Sequence, residues 1–195
     1  MAHLDRDLLY VVQRLDRPVG GVMVYGKTQA AAAGLTRQIT EKTIKKEYLT
    51  ISCGSPEAQE GELTDWLKKL VTINMSKVVE PKTLGSKEAR LSYQMLSSVA
   101  SEEFGSLSLL KVKLYTGRHH QIRVQLSNAG FPLWGDNKYN KAFVKRKGWT
   151  QIALWSNKLS IRHPKDNKLM EFVSYPGNDQ PWNSFKHILE QEMML

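Results

Sequence analysis

Apolar positions recur along this chain with two spacings. Over residues 88–99 the alternation has a period of two, with Ala89, Leu91, Tyr93 and Met95 on one side and Arg90, Ser92 and Gln94 on the other. That period is the mark of a half-buried β-strand. Residues 107–115 repeat it through Leu107 and Leu109, then shift phase to Val112 and Leu114, which reads as a bulge. The short link over residues 100–106 joins the two as an antiparallel hairpin. Residues 47–53 set Leu49, Ile51 and Cys53 against Tyr48, Thr50 and Ser52, with Leu49 and Ile51 as core and Tyr48 on the more polar side. Shorter strands are predicted over residues 8–12, 22–25, 152–155 and 159–163, and residues 169–173 return on the last of these as a hairpin.

Helical spacing marks three other stretches. Thr28 caps a helix over residues 29–41, where four alanines favour the fold and Leu35 and Ile39 share a face. Over residues 116–130, Ile122, Leu126 and Ala129 keep helical spacing and Gly130 is the stop. Arg118, His119 and His120 then fall on the first turn, where free N–H groups and the dipole favour an anion. Arg123 leaves the apolar stripe and can face a cleft. Pro181, Trp182, Phe185 and Leu189 define an amphipathic C-terminal helix. Between these elements, residues 65–69 read as a short helical turn and residues 74–87 as an exposed basic loop. Residues 138–147 read as a lysine-rich surface or RNA-facing segment.

Composition narrows the choice of partner. At 195 residues the chain suffices for one domain, without a separate RNA-binding domain. Lysine and arginine outnumber the acids 28 to 19, a net charge of +9, which favours a polyanion such as nucleic acid. Cys53 is the sole cysteine, so no internal disulfide forms and a reducing compartment fits. There is no membrane-spanning apolar run and no secretory core, so a soluble, cytoplasmic monomer is expected. The strand pattern starts abruptly at Leu8, and an N-terminal segment is expected to be missing ahead of it.

Residues 13–28 carry the candidate chemistry. Asp16 stands between Arg14 and Arg17, followed by Pro18, Gly20 and Gly21. A carboxylate on such a turn, next to a rigid strand, is well placed to react, although alone it also fits an ordinary surface turn. His119 and His120 are adjacent, point different ways and have no acid or cysteine cluster beside them, so no metal is expected.

Three stretches in order, Arg14-Leu15-Asp16, Lys46-Glu47-Tyr48 and Gly117 to Arg123 with Gly135-Asp136 beyond, give the chain its specificity. Together they resemble the RluA-type pseudouridine synthases of ribosomal and transfer RNA. The chain departs from that pattern at Gln13, Val19-Gly20 and Gln125, and lacks the upstream Asn-Lys-Pro segment. The resemblance implies an α+β protein, with a mixed, mostly antiparallel sheet flanked by helices and a central basic cleft. It implies isomerisation of a uridine in RNA without metal or cofactor. By this resemblance Asp16 is the nucleophile or stabiliser, acting at the sugar C1′ or the base C6, with Arg123 paired to it and Tyr48 stacking on the base and assisting at the C5 proton. It further implies that Arg14 fills the space vacated by the flipped base, that Arg17 meets the RNA, and that Arg118 and His119 meet phosphates or support the motif. A non-catalytic RNA-binding relative of the same fold is the alternative. Asp16, Tyr48 and Arg123 are thus expected in one cleft, with Asp5 elsewhere.

Overall fold

The computed structural model describes residues 8–146, 148 and 150–194. The chain opens with β1 (Tyr10–Val11), β2 (Gly20–Gly21) and β3 (Tyr25–Gly26), then α1 (Gln29–Thr40). The long strands follow: β4 (Lys45–Cys53), β5 (Glu60–Leu70), β6 (Met75–Val79), β7 (Ser86–Ser101) and β8 (Gly105–Leu114). After α2 (Gln121–Asn128) and α3 (Lys141–Val144) come β9 (Leu154–Arg162), β10 (Leu169–Val173), a 3-10 turn and α4 (Lys186–Met193). Among the described residues the main sheet runs β10-β9-β4-β8-β7-β5-β6, with β2 added beside β9. All of its pairings are antiparallel except β2 with β9. This is the α+β architecture that the spacing and the resemblance predict. No described helix is long and apolar enough to cross a membrane.

The sheet is buried on both faces at its centre. On one face Tyr48, Leu110 and Val112 pack with Ile122 and Leu126 of α2. On the other, Leu49, Ile51, Leu107 and Leu109 pack with Phe143, Trp182, Phe185 and Leu189. The C-terminal aromatic residues are therefore docking anchors, and Cys53 is a buried free thiol, as expected. A strand covered on both faces loses clean alternation. That explains the phase change in β8, which is unbulged; the irregularity lies in β7, between Met95 and Ser97. It also places Tyr48 inside the core cluster rather than on a polar side.

Local patterns mislead in several places. Residues 65–69 are not a helical turn but part of β5, paired on one side with β7 and on the other with β6. Residues 74–87 are not one loop, because they contain β6 and the start of β7. Long-range pairing decides both, as strand preference depends on neighbours more than on the residue itself. Residues 152–155 and 159–163 merge into β9, while only Tyr25 of residues 22–25 and two residues of 8–12 pair in strands. Phe143, read as part of a surface segment, is buried against Trp134 and Phe104.

Two glycines fix the loop that follows Asp16. Gly20 and Gly21 of β2 lie beside Trp155 and Ser156 of β9. A Cβ on Gly20 would lie 2.3 Å from the Trp155 ring, and one on Gly21 would lie 2.2 Å from the Ser156 carbonyl oxygen. Gly21 also has φ +114°, which side-chain-bearing residues rarely adopt. Val22 completes the seam: its N–H donates to the Ser156 carbonyl at 2.9 Å and its carbonyl accepts from the Ser156 hydroxyl at 3.0 Å. Gly21→Ala is expected to cost about 1–3 kcal/mol of stability in urea denaturation. Gly117→Ala, where a Cβ meets open space, serves as the near-neutral control.

Candidate active site

Asp16 sits at the start of a turn closed by the Val19 N–H donating to the Asp16 carbonyl at 2.9 Å. Leu15 and Val19, on either side of it, pack onto the core cluster of Tyr48 and Ile122. The loop is thus held by apolar contacts at both ends of the turn and by the glycine seam beyond. The Asp16 side chain remains 29% exposed.

Arg123 reaches Asp16 from α2, its Nη1 donating to Oδ2 at 3.1 Å. The same guanidinium is gripped from behind by Asp136. Nε donates to one carboxylate oxygen at 2.8 Å and Nη2 to the other at 2.7 Å. The Arg123 and Asp136 side chains are only 4% and 0% exposed. Asp136 also accepts the backbone N–H groups of Lys138 and Tyr139 at 2.9 and 3.2 Å. The Tyr139 ring lies 5.2 Å from the guanidinium carbon. Burial alone would lower the pKa of Arg123, but hydrogen bonding and charge from Asp136, then Asp16, outweigh it and raise the value. Arg123 is therefore a fixed cation with one edge clamped and one donor aimed at Asp16.

A cleft of about 270 Å³ opens here, lined by Arg14, Asp16, Lys46, Tyr48, Arg118 and Arg123 among others. A wider groove of about 900 Å³ shares Arg14, Asp16, Arg118 and Arg123, and adds Arg17, Lys69, His119 and Lys138. Among the described residues, Asp16 is the only carboxylate lining either space. Burial pushes the Tyr48 hydroxyl up to about 12, a Ser156 hydrogen bond opposing and the Asp16 charge adding. The phenol is therefore protonated at neutral pH. Burial lowers the pKa of Lys46 beside it.

The expected residues thus meet: Asp16, Tyr48 and Arg123 share one cleft, with Arg14 and Arg118 on its wall. Arg17 stands in the wider groove. Asp5 lies outside the described residues. The placement of the Gly117–Arg123 stretch needs correction. Helix α2 starts at Gln121, so Arg118, His119 and His120 precede its first turn rather than forming it. His120 takes the left-handed conformation, φ 55°, at the cap. Arg118 folds back, its Nε donating to the Glu88 carbonyl at 2.8 Å. Both ring nitrogens of His119 are engaged, with Ser76 at 2.9 Å and Asn74 at 3.1 Å. His119 therefore ties the β5–β6 hairpin to the site instead of offering a free phosphate contact.

Asp136, Tyr139 and His120 are the members that residue patterns alone did not single out for a role. Gly135-Asp136 was visible as a motif, but nothing in the spacing reports that its carboxylate is buried under Arg123. Replacing Asp136 by Asn leaves that buried cation half-compensated. Asp136→Asn is expected to destabilise the fold by about 3–5 kcal/mol, read by urea denaturation.

Comparison with known proteins identifies the family and the fold. Residues 1–128 match the family model described as RNA pseudouridylate synthase. The chain is 30% identical over 173 residues to ribosomal large subunit pseudouridine synthase C of Haemophilus ducreyi, covering 86% of this chain and 52% of that one. It is 29% identical over 185 residues to tRNA pseudouridine synthase C of the same organism, covering 89% and 74%. The chain spans about half the length of the curated ribosomal relatives that it matches. Among solved structures, human RNA Pseudouridylate Synthase Domain Containing 1 superposes with a TM-score of 0.74 over 93% of this chain and 80% of that one. At 19% identity that likeness speaks for the fold. From its sequence match, its shared architecture and the motifs that meet in its cleft, the chain belongs to the RNA pseudouridylate synthase family, as a relative of the RluA type.

Proposed function

We propose that the chain isomerises a uridine in ribosomal or transfer RNA to pseudouridine, with Asp16 as the reacting carboxylate. One observation carries this reading: among the described residues a single carboxylate lines a basic-walled cleft, paired at 3.1 Å with an immobilised arginine. The reaction breaks the C1′–N1 bond and forms a C5–C1′ bond. The C5 proton leaves and N1 gains one. Nothing in the sequence alone favours attack at C1′ over attack at C6. In either case covalent catalysis divides one hard step into easier ones.

Each neighbour has a task in this reading. Arg123 holds and aims the Asp16 carboxylate through the Nη1 hydrogen bond to Oδ2. Tyr48 supplies a wall for the base. Its hydroxyl, a phenol whose pKa burial pushes up to about 12, keeps its proton at neutral pH and donates before it accepts. It is therefore a poor base in the free protein, which weakens the idea that it takes the C5 proton unaided. The target base must leave its stack, at a cost of about a few kcal/mol. Arg14, exposed and lining the cleft, fills the gap in this reading. Arg17, Lys69, Arg118 and Lys138 give the groove its positive walls, so binding is expected to weaken with salt.

Pseudouridine mapping in RNA exposed to the protein is the test. Asp16→Asn is expected to abolish the product while RNA affinity, measured by filter binding, is retained. Undiminished pseudouridine with Asp16→Asn would sink the assignment. RNA bound by the unaltered chain without any pseudouridine would support the non-catalytic RNA-binding alternative.

A further inference from the structure

The pairing of Asp16 with Arg123 leaves His120 unexplained. Its backbone is left-handed, a conformation that residues with a side chain adopt at a cost and that concentrates at functional sites. It caps α2 without any side-chain hydrogen bond to that helix. The imidazole is 5% exposed. His119 stacks on it at 3.8 Å, and Tyr139 meets it edge-on at 5.6 Å.

Hydrogen bonding favours one tautomer of this ring. The Tyr139 hydroxyl accepts the Ser76 backbone N–H at 2.7 Å and lies 2.8 Å from His120 Nδ1. The arrangement that also uses the single phenol proton has Tyr139 donating to Nδ1. In that arrangement the proton of the neutral ring is on Nε2, facing Asp16. Nε2 lies 3.6 Å from Asp16 Oδ2, the oxygen that also takes Arg123. That distance is longer than a hydrogen bond, but catalytic contacts commonly tighten once substrate is bound. Among the described residues, no side chain donates to the other oxygen, Oδ1.

We propose that His120, neutral and protonated on Nε2, is a positioning residue that works with Arg123 to hold Oδ2 of Asp16, leaving Oδ1 for the substrate. The proposal rests on Asp16 being the reacting carboxylate. Ser76 belongs to β6, so the relay runs from the β5–β6 hairpin through Tyr139 and His120 to the site. The charges around the ring support its neutral state. Burial lowers the His120 pKa to about 4; the Asp16 charge opposes this, while Arg123, His119 and Lys138 add to it.

Two readouts on the folded protein test this together. In 15N-histidine-labelled protein, the His120 imidazole is expected as the neutral Nε2–H tautomer from pH 7 down to pH 5 by NMR, and Tyr139→Phe is expected to mix the tautomers. In turnover, His120→Leu is expected to lower kcat about 10-fold with KM for RNA unchanged. His120→Gln, which keeps a donor at the same reach, is expected to restore most of it. An imidazolium or an Nδ1–H tautomer at pH 7 would overturn the proposal, as would full kcat in His120→Leu. An unaltered chain that makes no pseudouridine overturns the synthase reading and the positioning role with it, whereas the wrong tautomer in an active chain overturns the positioning role alone.

Discussion

The site depends on a guanidinium buried beneath the cleft. Arg123 lies almost wholly out of water, which is costly for any cation unless its donors are matched. Asp136 matches two of them in a parallel pair and is itself satisfied by two backbone N–H groups. Such a pair is weak ground for a claim about net stability, because well-packed apolar groups can do as well. What it provides is placement. With its Nε/Nη2 edge clamped, Arg123 turns Nη1 outward to the cleft, and Asp16 accepts from it.

Asp16 comes to the same point from the opposite side. Its loop is tied to β9 by two glycines that approach Trp155 and Ser156 too closely for side chains. Leu15 and Val19 press it onto the α2 face of the sheet. That face and its opposite divide the labour. Trp182, Phe185 and Leu189 close the far side of β4 and β8, so the near side is free to carry Tyr48, α2 and the cleft. Basic residues from the N-terminal loop, the β5–β6 hairpin and the stretch before α2 then surround Asp16, the one carboxylate there among the described residues. The electrostatic result is a groove suited to phosphates with Asp16 in its lining.

Much of this was legible from residue order. The turn of Asp16, the strand of Tyr48 and the helix of Arg123 could each be placed, and their convergence follows from the resemblance more than from periodicity. Other features stayed hidden for physical reasons. Asp136 looks like any loop acid until Arg123 is folded over it. His120 and Tyr139 sit 19 residues apart, and no spacing rule pairs them. The β5–β6 hairpin was lost because helix-tolerant residues such as Leu67, Lys68 and Lys69 form strands only when β7 and Val78 are present to pair with them. Of the two roles open to His119 in the sequence, phosphate contact or support of the motif, the contacts favour support. The helix starts later, and the ring is spent on Ser76 and Asn74.

A crystal structure of the protein bound to a uridine-containing RNA stem-loop tests the central claim most directly. The account expects one uridine turned out of the stack, its ring against Tyr48 and its C1′ or C6 in contact with the Asp16 carboxylate, with Arg123 still bridging Asp16 and Asp136. A uridine bound elsewhere in the groove, or an Asp16 turned away from both Arg123 and the nucleoside, would contradict it.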